Sequence, residues 1–218
     1  MTPKSFLLTE DVHRYLLDNS EPLDEVQLDL IAETAAMGGI SSMQIAPEQG
    51  AFMTMLTQLM GVTSAIEVGT FTGYSALSIA RGLPPGGRLL CLDVSEEWTD
   101  IARRYWQRAG VEDRIELRLG PALETLQSLP PEPAYDLAFV DAHKPEYPAY
   151  IEELAPRMRP NGLVIVDNVL RDGRVIPGRE TDEADAMMQS FNRAVAADQR
   201  FDTLLMPLAD GLTLLRRR

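Results

Sequence analysis

AIEVGTFTGYS, residues 65–75, decides the fold because it joins a short apolar strand to a glycine-containing turn and then to a helix. Gly69 lets the backbone approach a ligand closely, and Gly73 lets the helix begin in a tight turn. A strand, a glycine turn and a helix in this order predict the first unit of a parallel α/β sheet. Ligands of such sheets bind beyond the carboxyl ends of the strands.

The chain after Met60 repeats this alternation. Short apolar runs predict strands at 65–69, 88–93, 115–119, 137–141 and 163–167. Helices are predicted to begin near Tyr74, Glu96, Ala122 and Pro148. Strands that are apolar on both faces are typical of a parallel sheet covered by helices. Two further apolar runs flank Asp210-Gly211, which predicts a closing antiparallel hairpin.

The segment before the sheet, residues 7–60, has apolar spacing nearer 3.6 than 2 and predicts helices. Its methionines suit adaptable core packing, although Met43 is also placed to line a flat organic substrate. The length of 218 residues favours one domain, 1–218, with a helical segment 1–60 and an α/β core 61–218.

Composition excludes several function classes. Acidic residues outnumber basic ones 33 to 20, and a net charge of -13 argues against a nucleic-acid partner or a polybasic membrane surface. No apolar run reaches the roughly 20 residues of a membrane span, and residues 1–11 show no export signal. The single cysteine, Cys91, excludes an internal disulfide and fits a reducing cytoplasm.

The predicted strand ends carry acids or glycine. Carboxylates gathered at one edge of a sheet repel each other unless a cation is present. A dinucleotide cofactor would place its pyrophosphate at the first helix, but the third glycine of that pattern is missing and Glu67 would repel it. A carboxylate instead suits the ammonium and sulfonium groups of S-adenosylmethionine, unless Glu67 simply lies at the surface. Asp93 is placed to accept ribose hydroxyls.

Three further residues, Trp98, Gly120 and His143, each allow more than one role. Trp98 suits either the core or an adenine ring, and Gly120 suits either a close approach to adenine or an ordinary turn. His143 is compatible with a metal ligand, an adenine contact or a loop residue. We favour the adenine contact for His143, because Asp141, Asp167 and Asn168 already offer three oxygen ligands to a metal ion.

Asp141, Asp167 and Asn168 follow two predicted strands and form an all-oxygen set. Hard cations such as Mg²⁺ prefer this set, although each acid alone could also cap a helix. Lys144 follows Asp141 by three residues and is one of only two lysines, against 18 arginines. A lysine, unlike an arginine, can lose its proton in a protein, so Lys144 is a candidate general base rather than a solvated loop residue.

Together these motifs resemble the cation-dependent O-methyltransferases, the group that contains the catechol and caffeoyl-coenzyme A O-methyltransferases. The resemblance covers nearly the whole chain and rests on residues 43–50, 67–75, 91–93, 120–122, 140–144 and 167–168. It implies a Rossmann-like class I fold with a seven-stranded, mostly parallel sheet, a C-terminal antiparallel hairpin and N-terminal helices. It also implies a homodimer.

The resemblance implies roles position by position. Matches to S-adenosylmethionine-binding positions are Ile45, Glu67, Gly69, Thr70, Ser75, Asp93, Ala122, Asp141 and His143, the last standing where plant members carry Asp. The metal ligands would be Asp141, Asp167 and Asn168, holding Mg²⁺, Mn²⁺ or Ca²⁺. Lys144 would be the catalytic base, beside Asp141.

The expected reaction is metal-dependent methyl transfer from S-adenosylmethionine to a hydroxyl of a small catechol-like or hydroxy-anthranilate-like aromatic substrate. A caffeoyl-coenzyme A substrate is the alternative, but the basic residues that could receive this polyanion are scattered: Lys4, Arg14, Arg171, Arg174 and Arg179. A nicotinamide-dependent oxidoreductase is a second alternative. The loop 171–180, rich in glycine and charge, either covers the substrate or is a mobile connection.

Overall fold

The computed structural model describes residues 8–218. Its strands are β1 Ser64–Val68, β2 Arg88–Asp93, β3 Ile115–Leu119, β4 Tyr135–Val140, β5 Met158–Val166, β6 Phe201–Met206 and β7 Leu212–Arg217. They form one sheet in the order β3-β2-β1-β4-β5-β7-β6. The first five strands run parallel, and β7 pairs antiparallel with both β5 and β6. This topology reverses direction beside β1, where a ligand crevice is expected.

The helices are α1 Glu10–Asp18, α2 Glu25–Ala35, α3 Pro47–Met60, α4 Tyr74–Gly82, α5 Glu96–Arg108, α6 Ala122–Ser128, α7 Tyr147–Leu154 and α8 Glu183–Ala197. One core cluster joins the sheet to α2, α3, α4 and α5, and a second cluster on the other face joins it to α6, α7 and α8. The strands are therefore buried on both faces, which explains why they are apolar throughout.

Helices α3 and α4 approach each other closely because glycines lie at their contact. A Cβ on Gly50 would lie 2.7 Å from Ser78 Oγ, and a Cβ on Gly82 would lie 2.6 Å from Thr57 Cβ. Thr54 Oγ1 also donates to the Ser78 carbonyl oxygen at 2.8 Å. The N-terminal helical segment is thus held on the sheet through a tightly packed helix pair.

The structure confirms the predicted mixed seven-stranded sheet, its C-terminal antiparallel strands and the N-terminal helices. Three details were wrong. Strands β1, β4 and β5 end one residue before Gly69, Asp141 and Asp167, so these residues begin the following turns. Strand β5 starts at Met158 rather than at residue 163.

The third wrong detail is helix α8, which was not predicted, although Asp182 caps it and three of its apolar residues are buried at helical spacing: Met188, Phe191 and Val195. Residue 7, the first of the predicted helical segment, lies outside the described residues. Within residues 8–218, no helix is long and apolar enough to cross a membrane.

Candidate functional site

A cavity of about 880 Å³ lies at the carboxyl ends of the parallel strands. Its volume falls in the range of small-molecule sites, roughly 300–1,000 Å³. Its wall includes all but one of the predicted site residues: Ile45, Gly69, Thr70, Ser75, Asp93, Ala122, Asp141, His143, Lys144, Asp167 and Asn168. The exception is Glu67. The structure therefore brings together side chains from motifs that are far apart in the sequence.

The turn after β1 requires glycine at two positions. Gly69 has φ +90°, and a Cβ there would lie 2.0 Å from the Asp141 carbonyl oxygen. Gly73 has φ +86°, and a Cβ there would lie 2.5 Å from Ala102 Cβ. The Trp106 indole Nε1 donates to the Gly73 carbonyl oxygen at 3.1 Å. The turn is therefore pressed against the end of β4 on one side and α5 on the other.

Asp93 holds this turn through its carboxylate. Its Oδ2 accepts from the backbone nitrogens of Thr70 and Phe71, each at 2.8 Å, and its Oδ1 accepts from Ser95 N at 2.8 Å. Both lone pairs of Oδ2 are thereby used, whereas Oδ1 keeps one free. Asp93 can thus accept a ribose hydroxyl while it keeps the turn in place.

Glu67 lies behind the cavity wall and is completely buried, so the surface interpretation was wrong. The Cys91 thiol donates to its Oε2 at 3.5 Å. Burial raises the pKa of Glu67 to about 7, against the opposing effect of the neighbouring Ser75 and Thr70 hydroxyls. Among residues 8–218, Glu67 Oε1 and Thr70 Oγ1 have no hydrogen-bond partner. Two orphaned buried oxygens beside the cavity fit a cofactor that carries donors.

Asp141 and Asp167 begin the turns after β4 and β5. Lys144 Nζ donates to Asp141 Oδ1 at 2.7 Å. Burial, and then the charge of Asp141, raises the pKa of Asp167 to about 7. Two carboxylates that repel each other in a buried cavity, with Asn168 in the same wall, fit a hard cation.

Neither acid caps a helix, since α7 follows Glu146 and α8 follows Asp182. The described residues contain no group of three or more His, Cys, Asp and Glu side chains arranged to hold a metal. The oxygen set of Asp141, Asp167 and Asn168 instead combines two carboxylates with one amide.

Other side chains in the wall resolve or extend the open alternatives. Trp98 is half-buried, lines the cavity and meets Phe71 edge-on with ring centroids 5.2 Å apart, which favours a ligand contact over the core. His143 is exposed and lines the same cavity, as does Gly120. Met43 also lines the cavity, which at this position favours the substrate-wall alternative over core packing. Cys91 is buried within the core.

Sequence reasoning missed three polar residues of the wall. Gln49 is buried and its Nε2 donates to Asp167 Oδ2 at 2.7 Å. Tyr150 donates its hydroxyl to the Glu146 carboxylate, and both line the cavity. Gln49 lies inside the motif 43–50, but nothing in that motif indicates its partner 118 residues away.

The loop 171–180 contributes no residue to the cavity wall among the described residues. Arg171 Nε and Arg174 Nε instead bind the Asp185 carboxylate, at 2.7 and 3.2 Å, and Asp185 is fully buried. Asp172 N donates to Asp210 Oδ1 at 2.7 Å, and Asp210 does line the cavity. In this structure the loop therefore contacts a residue of the cavity wall from outside the cavity and does not cover the cavity.

Comparison with known proteins places the chain among methyl-transfer enzymes. A family model described as "O-methyltransferase" matches residues 18–218. The chain is 35% identical over 207 residues to the probable caffeoyl-CoA O-methyltransferase 2 of Dictyostelium discoideum, covering 93% of this chain and 90% of the relative. It is 34% identical over 230 residues to caffeoyl-CoA O-methyltransferase 2 of Zea mays, covering 98% and 85%.

A solved structure gives the same picture. The O-methyltransferase from Bacillus cereus in complex with SAH superimposes with a TM-score of 0.86 at 34% identity, over 95% of this chain and 97% of that one. The arrangement of strands and helices is therefore that of a class I methyltransferase.

Proposed function

The chain belongs to the O-methyltransferase family and is an S-adenosylmethionine-dependent O-methyltransferase, and from this premise we propose a reaction and a substrate class. The enzyme transfers a methyl group to one hydroxyl of a small aromatic substrate with two vicinal oxygens, held by a divalent cation. The observation that carries this proposal is the placement of Lys144 Nζ 2.7 Å from Asp141 Oδ1, in one cavity with Asp167 and Asn168.

The cofactor side of the site is built from the ends of β1 and β2. Gly69 and Thr70 bring backbone groups to the cavity, and Asp93 offers the free lone pair of Oδ1 to a ribose hydroxyl. Trp98 and His143 are placed to contact the adenine ring. S-adenosylmethionine, when bound, supplies a methyl group on a positively charged sulfur. The proposed cofactor set is completed by Ile45, Glu67, Ser75, Ala122 and Asp141.

The metal side is built from the ends of β4 and β5. Asp141, Asp167 and Asn168 would hold Mg²⁺, or Mn²⁺ or Ca²⁺, because carboxylate and amide oxygens suit hard cations. The cation, when bound, would orient two adjacent oxygens of the ring and make the reacting hydroxyl more acidic.

Lys144 is the proposed general base. In its neutral form Nζ takes the proton of the substrate hydroxyl as the O–H bond breaks. S-adenosylmethionine, held at the ends of β1 and β2, would supply the methyl group to this oxygen and would leave as a neutral thioether. Lys144 lies in the cavity wall beside Asp141, one of the proposed metal ligands, so its side-chain nitrogen is near the place where the substrate hydroxyl would be held.

The substrate is proposed to be free and small rather than a coenzyme A thioester. The relatives from Dictyostelium discoideum and Zea mays are named for caffeoyl-CoA, so this choice needs its own support. Arg171 and Arg174 are bound to buried Asp185, and Arg14 lies within 3.6 to 3.8 Å of Glu10 and Asp11. Two of the basic residues that a polyanion would need, Arg171 and Arg174, are therefore already paired within the chain, and Arg14 lies beside two carboxylates.

The test is methyl transfer from labelled S-adenosylmethionine onto a panel of a catechol, a hydroxy-anthranilate and caffeoyl-CoA, with Mg²⁺ and with a chelator. We expect labelled catechol or anthranilate products that vanish with the chelator and return when Mg²⁺ is restored. Activity that ignores the chelator contradicts the metal assignment, and preferential methylation of caffeoyl-CoA contradicts the substrate choice.

We further propose that the chain acts as a single domain and as a homodimer in a reducing compartment such as the cytoplasm. Large apolar side chains are exposed on α1, α3 and β6, among them Tyr15, Leu59 and Leu204, and such side chains are typical of subunit interfaces. The free thiol of Cys91 fits reducing conditions. Light scattering after size-exclusion chromatography tests the dimer.

A further inference from the structure

Gln49 is the only residue of the N-terminal helical segment, within the described residues, that donates a side-chain hydrogen bond to Asp141 or Asp167. Its Nε2 reaches Asp167 Oδ2 at 2.7 Å, and its side chain is 1% exposed. The neighbouring Glu48 points the other way and pairs with His13 of α1 at 3.2 Å. Gln49 is thus aimed inward at an acid that the described part of the chain leaves without a cation partner at 4 Å or less.

The position of Gln49 is fixed by the packing of α3. Gln49 lies in the first turn of α3, directly before Gly50, whose missing side chain allows contact with Tyr74 and Ser78 of α4. This close packing at Gly50 holds the first turn of α3 against α4 and so fixes the place from which the amide of Gln49 reaches the turn after β5.

The hydrogen bonds of Asp167 divide the carboxylate between two donors. Oδ2 accepts from Gln49 Nε2, and Oδ1 accepts from Asn168 N at 2.6 Å. Each oxygen keeps one lone pair, so the two donors set the plane of the carboxylate while they leave it free to bind a cation. Loss of a group that orients a metal ligand in this way typically lowers metal affinity by about 10- to 100-fold.

We propose that Gln49 is a positioning residue of the metal site, through which the N-terminal helical segment orients Asp167 for the divalent cation. This inference rests on the metal site of the proposed function. It assigns to α3 a role in cation binding, in addition to covering the cavity.

The test is calorimetric titration of Mn²⁺ into the metal-stripped, full-length protein, with Gln49→Met and Gln49→Ala as the variants. Methionine keeps the size of glutamine and removes its donor, and alanine serves where methionine disturbs folding. Both are expected to weaken Mn²⁺ binding by about 10- to 100-fold, the usual range for such partners.

The matched control is Thr54→Val on the same helix, which removes the hydrogen bond from Thr54 Oγ1 to the Ser78 carbonyl oxygen without touching the metal edge. It should bind Mn²⁺ with wild-type affinity. Circular dichroism and the thermal midpoint identify the folded variants. Wild-type affinity in the Gln49 variants, or an equal loss in Thr54→Val, overturns the inference.

An Asp167→Asn variant separates this result from the premise. If the wild type binds Mn²⁺ and Asp167→Asn does not, the metal site stands and the Gln49 variants decide the inference alone. If the wild type binds no Mn²⁺, or Asp167→Asn binds it as tightly, the proposed metal site fails and the role of Gln49 fails with it.

Discussion

The acids at the cavity edge lie in two different environments. We call the end of β2 with the turn after β1 the first half of this edge, and the ends of β4 and β5 the second half. At the end of β2, Asp93 accepts three backbone hydrogen bonds, two of them from the turn after β1. At the ends of β4 and β5, Asp141 and Asp167 repel each other, and burial together with this repulsion raises the pKa of Asp167 to about 7. In the first half the chain's own backbone supplies hydrogen-bond donors to the acid, whereas in the second half the two acids are suited to an added cation.

The largest expected effect lies in the second half. Lys144→Ala removes the proposed base, and loss of a general base typically lowers turnover by about 10²- to 10⁴-fold. Cofactor affinity should fall far less than turnover, because Lys144 is not itself among the residues proposed to contact the cofactor. Turnover measured with saturating substrate, and cofactor binding measured by calorimetry, check both statements. Unchanged turnover would remove Lys144 from the reaction.

The next effect concerns Glu67, the fully buried acid of β1. Its pKa is raised from 4.5 to about 7 in the folded protein, mainly by burial. Below pH 4.5 both states hold the proton, and between pH 4.5 and about 7 only the unfolded chain releases it. Stability therefore falls as pH rises through this window, by at most about 1.4 kcal/mol per pH unit, and is level above it.

Glu67→Gln should abolish this contribution. Urea denaturation of the wild type and the variant, without cofactor, at several pH values between 4.5 and 7 measures it as a difference. Asp167 titrates in both proteins, so its contribution cancels. If the free energies of unfolding of the wild type and the variant change with pH in parallel, the pKa of Glu67 is not raised in the folded protein.

A third experiment examines the contact that joins the two halves. Gly69→Ala and Gly86→Ala both place a side chain at positive φ, +90° and +82°, but only the first collides with a neighbour, the Asp141 carbonyl oxygen. Gly69→Ala should therefore be less stable than Gly86→Ala by about 1–3 kcal/mol, the usual cost of overpacking. Free energies of unfolding in urea give the comparison, and equal losses would mean that the two turns are not in contact.

The smallest effect tests how the first half is held. Trp106→Phe keeps the packing of α5 but removes the donor to the Gly73 carbonyl oxygen. We expect a loss of about 1 kcal/mol in unfolding free energy, the net value of one hydrogen bond, with a modest loss of cofactor affinity. A variant as stable as the wild type would show that this bond does not contribute to the turn.

Sequence alone predicted the parts of the site that depend on local order. The acids at 93, 141 and 167 follow apolar runs, and parallel strands deliver their carboxyl ends to one edge, so their convergence could be foreseen. The burial of Glu67 could not, because it depends on Cys91 in the neighbouring strand and on the turn that covers it.

The contacts that escaped prediction join distant segments. Gln49 and Asp167 are 118 residues apart. The contacts of Asp185 with Arg171 and Arg174 require helix α8, which we did not predict from the sequence. The spacing of its buried residues could have indicated that helix: Met188, Phe191 and Val195. No spacing could have indicated that loop arginines are already bound to a buried acid.

The scarcity of lysine has a practical consequence. The chain carries only two lysines, and Lys144 stands in the cavity wall with 21% of its side chain exposed. Amine-directed acylation followed by peptide mass spectrometry would therefore read out the cavity with few competing targets. Protection of that single peptide by a ligand would report occupancy directly, which provides a screen for substrates that requires no knowledge of the product.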